Sequence, residues 1–170
     1  MKIVLTGATS PIGKVVLKHL SNHTVNVVGH DLTKIEDQNR LIELTKHSDV
    51  FINLAHIGYV QGILLELSEA KTNISFTSLI TQYPWAITKT VNTAEYVAQK
   101  LFLEHVHISK PNSVLISISN YGDGPIPSVS DTQITEAIDS VLLQEVKLPT
   151  RIDVNNGLGD LHLKYGEMRL

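Results

Sequence analysis

Lys2-Ile3-Val4-Leu5-Thr6-Gly7-Ala8-Thr9-Ser10-Pro11-Ile12-Gly13 opens the chain, and how this stretch folds decides the rest. Lys2 to Thr6 is a short apolar strand. It runs straight into a turn with glycine at both ends, and then into a segment whose apolar residues Ile12, Val15, Val16 and Leu20 recur at helical spacing. Ser10 is a good N-cap, and Pro11 falls at the first helical position, where the missing amide had no intrahelical partner. The spacing predicts a helix to about Ser21. Gly7 permits the sharp exit from the strand, and Gly13 lets the helix lie close to the sheet. Free amides at the helix start, with the positive end of its dipole behind them, form an anion site, which in a strand-turn-helix context suits the pyrophosphate of a dinucleotide. Thr9 and Ser10 add hydroxyl donors.

The next strand, Val25 to Gly29, leads to His30 and Asp31, about 20 residues beyond the turn, where a carboxylate accepts the two hydroxyls of an adenosine ribose. Asp31 and its neighbour Leu32 are therefore read as cofactor contacts, with NAD favoured over NADP because a carboxylate repels the extra phosphate. The competing reading makes Asp31 the cap of a turn in Asp31-Leu32-Thr33.

Beyond this unit, strands are expected at Asp49–Leu54, Ser113–Ile118 and Arg151–Val154. Helices are expected at Gln38–Thr45, at Trp85–His105 after the stop at Pro84, and from a capping box at Ser130 and Gln133 to about Val146. Residues 57–83 stay ambiguous, with a short helix at Ile63–Ala70 and β-favouring residues around Ile74–Phe76. Alternating strands and helices predict an α/β fold: a three-layer, doubly wound parallel sheet, Rossmann-like, of about six strands.

At 170 residues, with 42% hydrophobic and 18% charged, the chain has the balance of one globular domain spanning 1–170, with no separate C-terminal substrate lobe expected. A net charge of -3 offers no field for a polyanion, so nucleic acid is not an expected partner. The absence of cysteine excludes a disulfide framework and a thiolate zinc site. No apolar run reaches the roughly 18 residues of a membrane span, and the start reads as a strand rather than a leader, so the cytoplasm is the expected compartment. The pairs His19/His23 and His105/His107 lack a carboxylate cluster. Asp153 to Gly157 departs from a calcium loop in its glycine position and in Lys164, where the acid should stand.

Thr6 to Gly13, taken with Asn53-Leu54-Ala55-His56 after the middle strand, resembles the short-chain dehydrogenase/reductase superfamily over most of the chain. The turn is similar to that family's TGxxxGIG, with Pro11 in place of the middle glycine. Asn53 to His56 is similar to its NNAG or HLAA segment, so the resemblance puts Asn53, Leu54 and Ala55 on the adenine and ribose side of a nicotinamide dinucleotide. Val91-Asn92 resembles its VN pair, and Ser117 to Gly122 resembles the ISSxxxYG stretch of its extended, sugar-modifying branch. On that alignment Ser119, Tyr121 and Asn92 are the candidate catalytic residues. The family's Tyr-x-x-x-Lys pair would fall on Pro127 and Asp131, so the standard proton-transfer machinery is expected to be missing.

Tyr96 and Lys100 have the right spacing and share a helical face, but in the helix before the matched serine strand, so a solvated face is expected for them. The reading that follows is a nicotinamide dinucleotide-binding protein without standard catalysis, a cofactor-responsive binding or assembly module. The alternative is a minimal oxidoreductase or sugar-nucleotide epimerase/reductase acting on a small-molecule substrate, with Tyr121 or Tyr96 as proton donor. The family often pairs its long helix with the next across a two-fold axis, so a homodimer is expected.

Overall fold

Ile3, Val4 and Leu5 in one strand, Phe51 and Ile52 in another, and Leu115 and Ile116 in a third are all buried. Runs apolar on both sides are the mark of strands covered on both faces. The computed structural model describes residues 1–28, 31–82, 91–122 and 128–155. Along them lie β1 (Lys2–Thr6), α1 (Pro11–His19), β2 (Thr24–Val28), α2 (Ile35–Thr45), β3 (Val50–Asn53), α3 (Val60–Leu67), β4 (Thr72–Ser78), α4 (Val91–Ser109), β5 (Ser113–Ile118), α5 (Asp131–Leu142) and β6 (Thr150–Val154).

The strands form one six-stranded sheet in the order β2-β1-β3-β4-β5-β6, parallel throughout. On one face Val16 of α1 and Ile134 and Ile138 of α5 pack against Ile3, Leu5, Ile52, Ile74 and Ile116. On the other, Leu41 of α2 and Leu64 of α3 meet Val4 and Phe51, and Leu65 and Leu103 meet Leu115. This is the expected three-layer doubly wound fold. The chain steps outward from β1 to β2, then returns across β1 to β3 and continues the other way. The reversal opens a crevice at the carboxyl ends of β1 and β3, the usual ligand position in open α/β sheets. No described helix is long and apolar enough to cross a membrane.

Several boundaries differ from expectation. Helix α2 starts at Ile35 rather than Gln38, taking Glu36 and Asp37 into its first turn, where they favour the dipole. α5 stops at Leu142 rather than Val146 because Gln144 turns left-handed (φ 59°), and the Glu145 amide reaches back to the Ser140 carbonyl. α3 lies three residues earlier than expected, and Lys110 closes its end by donating to the Glu66 and Ser68 carbonyls, both at 2.7 Å. α4 is described from Val91 and continues to Ser109; the expected start at Trp85 lies outside the described residues. The histidines singled out in sequence tie elements together: His19 contacts Asp139 at 2.7 Å and His107 contacts Ser113 at 2.6 Å.

Candidate functional site

The glycine turn is closed by backbone contact. Gly7 has φ +72°, and a Cβ there would lie 2.7 Å from the Ala55 nitrogen; a Cβ on Gly13 would lie 2.0 Å from the Gly7 carbonyl oxygen. Neither obstacle can swing aside, so both positions require glycine. Ser10 holds the turn from within. Its hydroxyl donates to the Gly7 carbonyl (2.8 Å) and accepts from the Gly13 amide (3.0 Å), while its own amide donates to the Gly7 carbonyl (3.1 Å). Pro11 has no amide to give. Among the described residues, the donors left to the turn are the amides of Ala8, Thr9 and Ile12.

Two hollows flank this turn. The smaller, about 280 Å³, is lined by Gly7, Ala8 and Thr9, by Asp31 and Leu32, and by Ala55. Asp31 is exposed at its rim: one carboxylate oxygen accepts from the amide (3.2 Å) and hydroxyl of Thr33, and the other lies 3.9 Å from the Lys34 ammonium. The Thr33 bonds, with a smaller effect of Lys34, hold its carboxyl below the usual range. Asp31 thus caps the turn at Thr33 and also lines the rim of the hollow. Asn53 lines neither hollow. It is fully buried, and its side chain accepts from Thr6 (3.4 Å) and donates to the Gln61 carbonyl (2.8 Å), pinning the loop after β3.

The larger hollow, about 370 Å³, is walled by Ser10, Pro11 and Ile12 of the turn, Leu54 and His56 after β3, Phe76 to Ser78 of β4, Tyr96 and Lys100 of α4, and Ile118 to Tyr121 beyond β5. Lys100 is not on a solvated face. It is 5% exposed, and its ammonium donates to Gln61 Oε1 (2.7 Å) and the Phe76 carbonyl (3.2 Å), 5.6 Å from the centroid of the Tyr96 ring. Burial pulls Lys100 down to about 8, against a smaller upward pull from Glu104. Tyr96 is partly buried, with its ring edge-on to His56 (4.9 Å between centroids). Burial pushes its phenol up, and a hydrogen bond with the Ser78 side chain opposes that. Burial, then the nearby Lys100 charge, lowers His56, which is therefore neutral at physiological pH.

The expectation for Tyr96 and Lys100 is corrected here, and so is the reason given for it. Ser78 ends β4, the strand that precedes α4, so the pair does sit on the helix following a serine-ended strand. The sequence match to Ser117–Gly122 lies one strand further on. Ser119 lines the large hollow with its hydroxyl buried and, among the described residues, without a hydrogen-bond partner. Tyr121 lines it too, but its hydroxyl donates to Asp131 (2.7 Å), a bond that raises its pKa. The Asn92 side chain, His30 and Pro127 lie outside the described residues. Sequence reasoning missed Ser78 and Gln61, toward which only the Tyr-x-x-x-Lys spacing pointed, and gave His56 no role beyond closing the Asn53–His56 segment.

Fold and crevice together define the class: a doubly wound, all-parallel α/β domain of Rossmann type. No protein-family model matches the chain, and no curated protein matches it. Solved structures do. The oxidoreductase ylbE from Lactococcus lactis is 16% identical, with 92% of this chain and 91% of that one covered and a TM-score of 0.71. A dTDP-4-dehydrorhamnose reductase from Clostridium acetobutylicum is 16% identical, with 99% and 80% covered and a TM-score of 0.71. The triphenylmethane reductase of Citrobacter sp., whose structure is a complex with NADP(H), is 12% identical, with 92% and 70% covered and a TM-score of 0.61. At these identities the likeness is one of fold.

Proposed function

We propose that this chain is a nicotinamide dinucleotide-dependent oxidoreductase of the short-chain dehydrogenase type, with Tyr96 as its proton-transferring group. The observation that carries this is Tyr96, Lys100 and Ser78 meeting in one hollow beside the glycine turn. It favours the enzyme over the catalytically silent binding module, because that reading rested on the absence of such a pair.

The residues present fit a dinucleotide. Two hollows flanking an amide-bearing turn match two nucleosides joined by a pyrophosphate, and the Ser119 hydroxyl, which has no hydrogen-bond partner among the described residues, faces the larger one. Asp31, Leu32 and Ala55 would hold the adenosine, the amides of Ala8, Thr9 and Ile12 the pyrophosphate, and Ile12, Leu54 and Ser119 the nicotinamide end. The bound cofactor supplies hydride exchange with a carbon of the substrate. Tyr96, with its phenol pushed up, carries its proton at neutral pH and is set to deliver it to a carbonyl oxygen. Lys100 then stabilises the phenolate left behind, and Ser78 fixes the direction of the hydroxyl. Pro11, Ile12, Leu54 and Phe76 keep the surroundings apolar, which strengthens that electrostatic effect.

NAD is the preferred cofactor in this proposal, since Asp31 repels a 2′-phosphate, although Lys34 partly offsets it. A homodimer is also proposed. Tyr59, Ile63 and Leu67 around α3 and Leu101 and Ile108 on α4 leave apolar side chains exposed on the layer these two helices form, rather than on α4 and α5 as the resemblance implied, since those two cover opposite faces of the sheet. A single monomeric species in sedimentation would refute the dimer. The catalytic reading is tested by hydride transfer from labelled NADH to a panel of carbonyl compounds. Tyr96→Phe should keep cofactor binding and lose roughly 100-fold or more in turnover. Equal turnover in that variant would move the proton-transferring role to another group, and no turnover in native protein that demonstrably binds cofactor would return the chain to the binding-module reading.

A further inference from the structure

Lys100 poses a question that the proton-transfer reading leaves open: what keeps a nearly buried ammonium in place beside Tyr96? An ammonium has three donors. One goes to the Phe76 carbonyl and one, the shorter at 2.7 Å, to Gln61 Oε1. Gln61 is the second residue of α3 and is 2% exposed. Its side-chain Nε2 donates to the Asn53 carbonyl (3.0 Å) at the end of β3 and to the Phe76 carbonyl (3.1 Å) in β4, and its main-chain carbonyl accepts from Asn53 Nδ2 (2.8 Å). That network sets the carboxamide one way round, because the reverse would face nitrogen toward the ammonium and break both donor bonds.

The partner is therefore rigid, buried and uncharged. The charged and titratable groups around the ammonium are His56 from the loop after β3, and Tyr96 and Glu104 on α4. Among the described residues, the hydrogen bonds the ammonium makes are to the Phe76 carbonyl of β4 and to Gln61 of α3. Glu104 is engaged elsewhere, with Arg151 at 3.0 Å, Thr81 at 2.6 Å and Thr77 at 3.2 Å. Among the described residues, no carboxylate is in contact with the Lys100 ammonium.

We propose that Gln61 is the positioning residue of this site, a neutral acceptor that fixes the Lys100 ammonium beside Tyr96 without placing a counter-charge in contact with it. The inference rests on the proton-transfer reading of Tyr96 and Lys100 for its purpose, but not for its test. A carboxylate in the same place would hold the cation equally well and cancel the field it exerts on the phenol. An apolar side chain would leave the ammonium with one fixed acceptor and free to swing.

Cofactor-free protein suffices for the experiment. Lys100 is followed by NMR of ε-13C-labelled lysine, and Tyr96 by phenolate absorbance with Tyr96→Phe as the blank. In Gln61→Glu, both titrations should move up, that of Lys100 by about one pH unit or more. In Gln61→Met, the Lys100 titration should move down. If Lys100 titrates in a folded Gln61→Glu protein as it does in the native one, the proposal is overturned.

Should neither variant fold, the native protein still decides. The Gln61 side-chain carbonyl carbon should shift with the same midpoint as Lys100, and a flat Gln61 signal through that titration overturns the proposal. Where hydride transfer is measurable, Gln61→Glu should move the alkaline limb of its pH profile while leaving the affinity for NADH within about twofold. Titrations that move without any hydride transfer in the native protein would refute the catalytic reading and leave the positioning role of Gln61 standing. Hydride transfer with unmoved titrations would do the reverse.

Discussion

Replacing Lys100 with methionine should change how stability depends on pH, in a direction fixed by burial. The folded protein pulls Lys100 from the ordinary 10.5 to about 8. That difference is worth about 3 kcal/mol of penalty for carrying the charge inside the fold. The unfolded chain binds this proton more tightly than the folded one, so the penalty is complete below about pH 8 and fades as pH rises toward about 10.5, stability increasing through that window. Methionine carries no proton and feels none of this. It leaves Gln61 Oε1 without its donor and the Phe76 carbonyl with only the Gln61 amide, a loss of about 1–3 kcal/mol that does not vary with pH. The raised phenol of Tyr96 acts in the opposite sense at high pH, but it is common to both proteins and largely cancels. The native protein should therefore gain on Lys100→Met by about 2 kcal/mol between about pH 7 and about pH 10, whichever is the more stable at the start. Urea unfolding followed by far-ultraviolet circular dichroism measures it. A stability difference that stays constant over that range would refute the claim that Lys100 is charged and buried in the fold.

Tyr96→Phe should cost roughly 100-fold or more in hydride transfer while Tyr121→Phe stays within about threefold, since the Tyr121 hydroxyl is given to Asp131; similar losses in both would remove Tyr96 from its role. Pro11→Gly restores an amide to the turn and should tighten NADH binding about threefold to tenfold in a calorimetric titration, whereas unchanged affinity would mean that this position does not face the phosphates. Gly13→Ala places a Cβ 2.0 Å from the Gly7 oxygen and 2.8 Å from Ala8 Cα. It should cost about 1–3 kcal/mol in a thermal melt and abolish cofactor binding, and an unshifted melt would contradict the packing described for the turn.

What could be read from the sequence was local in origin. The turn at Gly7 to Gly13 announced itself through glycine, an N-cap and a first-turn proline. The Ser130–Gln133 capping box formed as expected, with Gln133 Oε1 accepting from the Ser130 amide at 2.9 Å and Ser130 Oγ from the Gln133 amide at 3.2 Å. β4 was a different case. Its alternation of Asn73, Ser75 and Thr77 with apolar residues suggests a strand with one wet face, yet all three polar side chains are buried in the sheet's interior. The pattern over residues 57–83 does not mark a strand end at Ser78, so the serine motif matches Ser117–Gly122 instead and Tyr96 and Lys100 read as a solvated pair. Gln61 carries no local signature at all, and His56 only its place at the end of the Asn53–His56 segment, because their roles come from contacts across the fold with Lys100 and Tyr96.

The most direct measurement is calorimetric titration with NADH and NADPH of the native protein beside Gly7→Val, in which the added side chain meets backbone at φ +72°. Saturable binding of NADH, stronger than that of NADPH and lost in the variant, is the expected result. No saturation by either nucleotide up to about millimolar concentration, against a range of about 1 μM to 1 mM usual for enzyme ligands, would leave the fold standing without its cofactor.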